Sequence, residues 1–468
     1  MSGVNSAGSM GEPSVSEKLI AFARRQVRQG LPDKVLHEAQ RLLLNQLKAS
    51  VGATSHPAVQ LMHAWAADAG HGAQAAHVLW LGTAVAPAQA AVVNGALFEV
   101  LDFHDTYIPT FMHAVSAVLP ALLACAELEP VNGKQFLTAL ALGLEIELAI
   151  ATILMPTGYY RGHVPAGLVG GVGAAAACSI LAGLDDTQMR NALGLAMCSA
   201  FGCYESVGSG ALSYITGMTA RSGYTAFELA RRGLDAPRTA FEGDKGMFAS
   251  HCDEARDKIA PVLASLGQDW RIFGQSYKTV PTETITHAPV ELVLQLLPKA
   301  KGRTVERLCF GVEPIVVKIA DERRERFGDP KSELEARFDL RFCAAAAWQR
   351  GRFTLAEMKE PAYTDAAILA LRARIDLVAD PLRKTFEGAW LEVHYSDGSS
   401  DRANVDNFLG TPGNPMSDAQ LSALFAQACE GLVAPARSQD ILRAVWGLGT
   451  APGIAPLMSL MQIEGMSP

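Results

Sequence analysis

Apolar residues recur at helical spacing through the first 270 or so positions of this chain. Ser14 and Glu17 form a capping-box pattern that opens the run "LIAFARRQV", and "DKVLHEAQRLLLNQLKASVGA" continues the same period. Further helices are predicted over 57–69, 87–101, 113–128, 134–154, 166–183, 187–201 and 217–232, separated by Gly, Pro or Asp-rich breaks. The 134–154 and 166–183 segments are apolar nearly all round, which places them inside a bundle rather than on its face. Strand signals are nearly absent from this region.

The pattern changes after about residue 275. "VERLCFGVEPIVVKIA" and "GAWLEVHYSDGSSDRANV" are rich in β-branched and aromatic residues, and Asp397-Gly398 between two such runs is a hairpin signal. Helical patterns, "SELEARFDLRFCAAAAWQRG" and "DAAILALRARI", lie between them. From Ser417 the chain reads as helix again, with Ser and Asp at the cap position. The expected fold is mainly α: a disordered lead-in over 1–14, a large all-helical domain over 15–272, a smaller α+β domain over 273–408, and a helical tail over 409–468 that packs back on the helical domain.

Composition narrows the function classes. The 468 residues are 49% hydrophobic, enough for substantial globular cores. A formal net charge of −8, with no dense Lys/Arg run, argues against nucleic acid and anionic membranes as partners and favours a small molecule. Eight cysteines without a C-x-x-C argue for a reducing cytoplasm and against structural zinc. The N-terminus lacks an apolar signal core. Residues 164–184 are uncharged, but their Ala/Gly content and missing aromatic belts mark a buried helix rather than a membrane span.

Three contexts could carry chemistry. The first is "LDFHDTYIPTFMH", where Asp102, His104 and Asp105 follow one apolar helix and His113 opens another. An isolated D-x-x-D there is commonly a solvated turn. The apolar flanks argue instead for carboxylates and imidazoles in a partly buried cleft, an arrangement suited to general acid/base work. In the second, "TGYYRGHVPAG", Arg161 and His163 precede a helix whose small first-turn residues would let an anion approach; a Gly-capped surface turn is the alternative. In the third, "SYKTVPTETITHAPVEL", Lys278 and His287 bracket a Pro-containing loop, and lone residues of these types are usually solvated. The spacing of Asp102, His104, Asp105 and His113 matches no metal motif, so no metal is expected. No P-loop, dinucleotide fingerprint or G-x-S-x-G elbow is present.

Together these stretches resemble the MmgE/PrpD family, which includes 2-methylcitrate dehydratases, cis-aconitate decarboxylases and iminodisuccinate epimerases. The resemblance is carried by "AAVVNGALFEVLDFHDT" and "HAVSAVLPALLA", by "GHVPAGLVGGVGAAAACSILAGLDDTQMRNALGLA", by "GMTARSGYTAFELARRGLDAPRTAFEGDKGMFA", by Lys278 to His287, and by "GNPMSDAQLSALF". It implies a homodimer with the site in an interdomain cleft, and metal-free, cofactor-free chemistry on small carboxylates. The expected reaction is a lyase step that begins with removal of a proton alpha to a carboxylate: dehydration of a hydroxy di- or tricarboxylic acid first, with decarboxylation or epimerisation on the same scaffold, or loss of catalysis in a ligand-binding relative, as alternatives. Asp102, Thr106, His113, Lys278 and His287 match family positions, and His163 lies one residue off its expected place. With His104 and Arg161 added from the contexts above, the expected catalytic residues are Asp102, His113, His163 and Lys278 and the expected substrate contacts His104, Thr106, Arg161 and His287.

This sequence also departs from the family pattern. The family usually has His where Glu99 stands and Asp where His104 stands. A pocket lysine aligns with Leu212, and the position five after Lys278, often Cys or His, is Glu283. Losing a lysine while gaining two glutamates predicts a site less positive than tricarboxylates require.

Overall fold

The structure is a computed structural model and describes residues 12–70 and 72–463. Most of the expected lead-in therefore lies outside the described residues. The first ordered element is the Val15–Gln29 helix, and its capping box is the one the spacing predicts: the Ser14 hydroxyl accepts from the Glu17 amide at 3.3 Å while Glu17 Oε2 accepts from the Ser14 amide at 2.8 Å.

Two separate hydrophobic cores organise the chain. One gathers residues from Val15 to Tyr277 and again from Met416 to Met461; the other runs from Val280 to Phe408. The return of the chain to the first core is made by the Asp418–Cys429 helix, which Ser417 caps and which packs on the Asp33–Val51 helix. Arg41 of that helix ties the return down, donating to the Met416 carbonyl at 2.6 Å and to Asp418.

The centre of the helical part is a close-packed group formed by the Pro87–Glu99, Ala114–Ala126, Gly133–Leu154, Pro165–Leu181 and Ala211–Arg231 helices. Gly133–Leu154 is long and apolar enough to cross a membrane, and it is enclosed here by its neighbours. Small residues set the separations. A Cβ on Gly217 would sit 2.4 Å from the Val92 carbonyl oxygen, and one on Gly170 would sit 2.5 Å from the Ala117 Cβ. The first of these contacts holds the Pro87–Glu99 helix, whose last residue reaches the site described below, against Ala211–Arg231.

The predicted helices are present with shifted ends. The Ala211–Arg231 helix starts six residues before the expected 217, which places Leu212 in its first turn, and Asp186–Met197 stops four residues short of 201. The helical region also contains strands that its pattern does not announce. Ala76–Val78 pairs antiparallel with Thr83–Val85, and Asp105–Thr106 pairs antiparallel with Ser276–Tyr277. Elements of two or three residues are too short to express a period of two.

The second core is built on a four-stranded sheet in the order Ile375–Ala379, Val305–Val312, Ala389–Tyr395, Ser400–Val405. The first pair is parallel and the others antiparallel, and Asp397-Gly398 turns the predicted hairpin with Gly398 at φ +81°. Strict alternation of buried and half-buried residues along Ala389–Tyr395 turns one face toward the His287–Ala300 helix, on which the Leu340–Arg350 helix packs in turn.

Two glycine variants test the packing account. Gly217→Ala is expected to lower stability by about 1–3 kcal/mol, because backbone rather than a flexible side chain must move. Gly171→Ala, whose nearest non-local atom is 3.6 Å away, is expected to be neutral or to gain up to about 1 kcal/mol from helix propensity. Urea midpoints of the two variants measure both; equal shifts would contradict the close-approach explanation.

Candidate active site

The Pro87–Glu99 helix ends among carboxylates, where its own dipole is negative, so the local fold must supply cations. Asp102 takes a left-handed conformation, φ +48°, which Asp tolerates better than most residues and which turns the chain sharply after the helix. The two-residue ladder then sets Asp105 opposite Tyr277 and Thr106 opposite Ser276, bringing Lys278 beside Asp102. The Lys278 ammonium, 1% exposed, donates to the Asp102 carboxylate and, at 3.1 Å, to the Asp102 carbonyl.

Three further side chains hold this turn from behind. Lys48, buried in the Asp33–Val51 helix, donates to the Lys278 carbonyl at 2.6 Å and lies 3.7 Å over the Phe103 ring. Gln46 donates to Asp105 Oδ1 at 2.5 Å. Arg337, from the second core, donates to the Val100 carbonyl at the helix end and to Glu333 Oε1 at 2.9 Å. None of these was singled out from the sequence. "LLLNQLKAS" did carry a signal, since Asn45, Gln46 and Lys48 interrupt a helix that is buried on every side.

The imidazoles are arranged around the turn. His113 Nδ1 lies 2.8 Å from the Asp105 carbonyl oxygen, which can only accept, so Nδ1 carries the hydrogen and Nε2 the lone pair. The Thr106 hydroxyl is 3.3 Å from the same nitrogen. His104 is fully enclosed; its ring meets that of His113 edge-on at 4.2 Å, and its Nε2 lies 3.6 Å from Glu99 Oε2 and 3.8 Å from Asp102 Oδ1. Burial, with the Asp102 carboxylate adding to it, pushes the Glu99 carboxyl up to about 8. Burial, reinforced by the Lys278 ammonium, holds the His113 imidazole down at about 3. Burial also raises the Asp105 carboxyl to about 6.

Glu99, Asp102, Thr106, His113 and Lys278 line a cavity of about 1120 Å³ walled by both cores. Of the eight site residues expected from the sequence, Asp102, Thr106, His113 and Lys278 reach this cavity. His104 stands directly behind its wall. His287 is buried at the start of its helix in the second core, with Nε2 3.3 Å from the Thr282 carbonyl and its ring 4.9 Å from Phe408. His163 and Arg161 are not brought in. The turn through Gly162, φ +90°, leaves Arg161 in a surface ion pair with Asp253 at 2.6 Å and His163 against His251 at 5.0 Å, while Val164 to Ala166 of the next helix start line the cavity instead.

The expected effect of Glu283 on the charge of the site also needs correction. Arg323, from the Pro314–Phe327 helix, grips Glu283 with both guanidinium nitrogens, one of them at 2.8 Å, so Glu283 adds no uncompensated charge. Arg323 sits in "DERRERF", which reads as a solvated charge run, and no sequence signal separates it from its neighbours. Glu99, His104 and His113 each offer a ligand atom within 4.8 Å of the others, a set a divalent ion could bridge. Lys278, Lys48 and Arg337 all lie close enough to His104 to bias it against protonation, and the same field opposes a dication there.

Comparison with known proteins agrees with this arrangement. The MmgE/PrpD N-terminal domain matches residues 17–260 and the MmgE/PrpD C-terminal domain matches residues 280–448. A cis-aconitate decarboxylase from Homo sapiens is 25% identical over 461 residues, covering 94% of this chain and 92% of the relative. One from Aspergillus terreus is 24% identical over 99% of both chains, and a cis-aconitate decarboxylase-like protein, oryM, from Aspergillus oryzae is 23% identical over 97% of this chain and 98% of its own. Both domains of one family thus follow in order along the chain, and the protein belongs to the MmgE/PrpD family.

Proposed function

We propose that this protein is a lyase that eliminates water from a hydroxy carboxylic acid, starting with removal of a proton alpha to the carboxylate. The observation that carries the reading is a neutral base and a neutral acid on one cavity wall: His113, held low at about 3, and Glu99, pushed up to about 8. Two titratable groups driven apart in this way are matched to opposite roles.

In this reading His113 Nε2 takes the alpha proton, and the electron pair moves into the substrate carboxylate. The Lys278 ammonium and the Thr106 hydroxyl face the charge that develops there. The electrons then return to form the carbon–carbon double bond as the beta hydroxyl leaves, and Glu99 gives that hydroxyl its proton, releasing water. The step leaves imidazolium at His113 and carboxylate at Glu99. Asp102 acts by holding Lys278 in place.

A second reading, decarboxylation, is supported by the names of the relatives. It needs a proton delivered to carbon after CO₂ leaves, and Glu99 is the protonated donor available for that. Proton NMR in deuterated water on a panel of hydroxy and unsaturated acids separates the two: deuterium at the alpha carbon with loss of water supports the first, and loss of CO₂ the second. No exchange in any acid would defeat both.

Glu99→Gln and His113→Asn are each expected to cut kcat by about 10²–10⁴-fold with unchanged circular dichroism. Wild-type kcat/KM is expected to decline above pH 8 as Glu99 ionises, and the residual activity of Glu99→Gln to lack that limb. Stability should follow the same group. Because its folded pKa is raised from 4.5 to about 8, its contribution is fully present below 4.5 and is lost as pH rises through about 8. Glu99→Gln should therefore melt progressively higher than wild type between pH 5 and 9; a Tm difference independent of pH would refute the assigned protonation.

A further inference from the structure

The acid/base cluster occupies only one part of the cavity. At about 1120 Å³ the space exceeds the roughly 300–1,000 Å³ typical of sites that enclose a drug-sized ligand, and a six-carbon acid would leave most of it empty. One side of its remaining wall is aromatic, while charged residues of the Pro314–Phe327 helix line another. Phe111 packs against Tyr159 with ring centroids 4.7 Å apart, and Phe386 from the second core stacks on the same Phe111 at 6.0 Å and 22°. Phe111 ends the Ile108–Thr110 turn at φ +55°, a left-handed conformation unfavourable for a bulky side chain. Leu212 and Ile319 add aliphatic surface.

The charges in the cavity point the same way. Lys278 is engaged by Asp102 and Arg323 by Glu283, and carboxylates outnumber cationic side chains along the lining. Nine carboxylates face five cations along that lining, and the one fully buried cation, Lys278, is already paired, so a tricarboxylate would bring three more negative charges to a wall in carboxylate excess. One carboxylate, received by Lys278 and Thr106, is what this lining can balance.

Resting on the acid/base reading above, we infer that the substrate is a monocarboxylic acid with a bulky apolar, preferentially aromatic, body that lies against Phe111, Tyr159 and Phe386. Its carboxylate sits at Lys278 and its alpha carbon at His113. The aromatic wall then contributes binding energy at a distance from the reacting carbon, and Leu212 favours an apolar group where a lysine would favour a second anion.

Titration calorimetry with 3-hydroxybutyrate, 3-hydroxyoctanoate and 3-hydroxy-3-phenylpropionate, against citrate and malate, tests this on the intact protein. Affinity should rise about fourfold per added methylene, and the phenyl acid should bind at least tenfold more tightly than the four-carbon acid. Phe111→Ala and Phe386→Ala should each weaken the phenyl acid by about tenfold or more, and Leu212→Lys should shift preference toward citrate. Citrate binding more tightly than the phenyl acid, or affinity flat with tail length, would overturn the inference. Proton NMR of the same samples in deuterated water keeps the two proposals apart. Tail-dependent binding without alpha deuteration defeats the acid/base reading alone, whereas deuteration without tail dependence defeats the substrate class alone.

Discussion

The buried contact between Lys278 and Asp102 is the constraint on which the rest of the site depends. Asp102 belongs to the turn after a core helix of the helical part, and Lys278 stands at the point where the chain leaves that core for the second one. Removing both charges from water is costly, and the mutual attraction offsets that cost only where geometry and extra hydrogen bonds are good. Here they are: Lys278 also meets the Asp102 carbonyl, Lys48 fixes the Lys278 backbone, and Arg337 reaches across from the second core to the carbonyl of Val100. The two cores are thereby locked at one end of their boundary, and the cavity opens beside that lock.

The same contact shapes the protonation of its neighbours. Glu99 is buried near a second carboxylate, so ionising it is disfavoured; His113 is buried near an ammonium, so protonating it is disfavoured. Burial thus pushes an acid and a base in opposite directions on the same wall, with Asp102 adding to the first shift and Lys278 to the second. Both groups are left neutral at neutral pH, which is the state in which each can perform its transfer.

Much of the architecture was legible because it is written in long periods. The bundle helices and the Asp397-Gly398 hairpin repeat their pattern often enough to be read, as does the capped Asp418–Cys429 helix. The site was legible only in its loop residues. Asp102, Thr106, His113 and Lys278 stand out as polar groups between apolar flanks, but the two-residue ladder that joins Thr106 to Ser276 has no sequence signature, and neither does the reach of Arg337 or Arg323 from another core. Arg161 and His163 lie off the cavity lining for the complementary reason. Their chemistry suits an anion site, yet a single turn through Gly162 decides which way they face.

The departures from the family pattern are paired rather than independent. Against the pattern the family resemblance implies, with His at position 99 and Asp at position 104, the carboxylate and the imidazole stand exchanged in this chain, and the structure sets Glu99 and His104 3.6 Å apart. Either substitution alone would leave two imidazoles or two carboxylates buried side by side, a like pair without compensation. Together they keep one acid and one imidazole in contact while moving the carboxyl onto the cavity wall. Glu283 is compensated in the same way by Arg323. Leu212 is not compensated by any cation at its own position: it removes charge and adds apolar surface. Under the proposed lyase reading, these positions keep a carboxyl and an imidazole together at the cavity wall and leave its Leu212 side apolar.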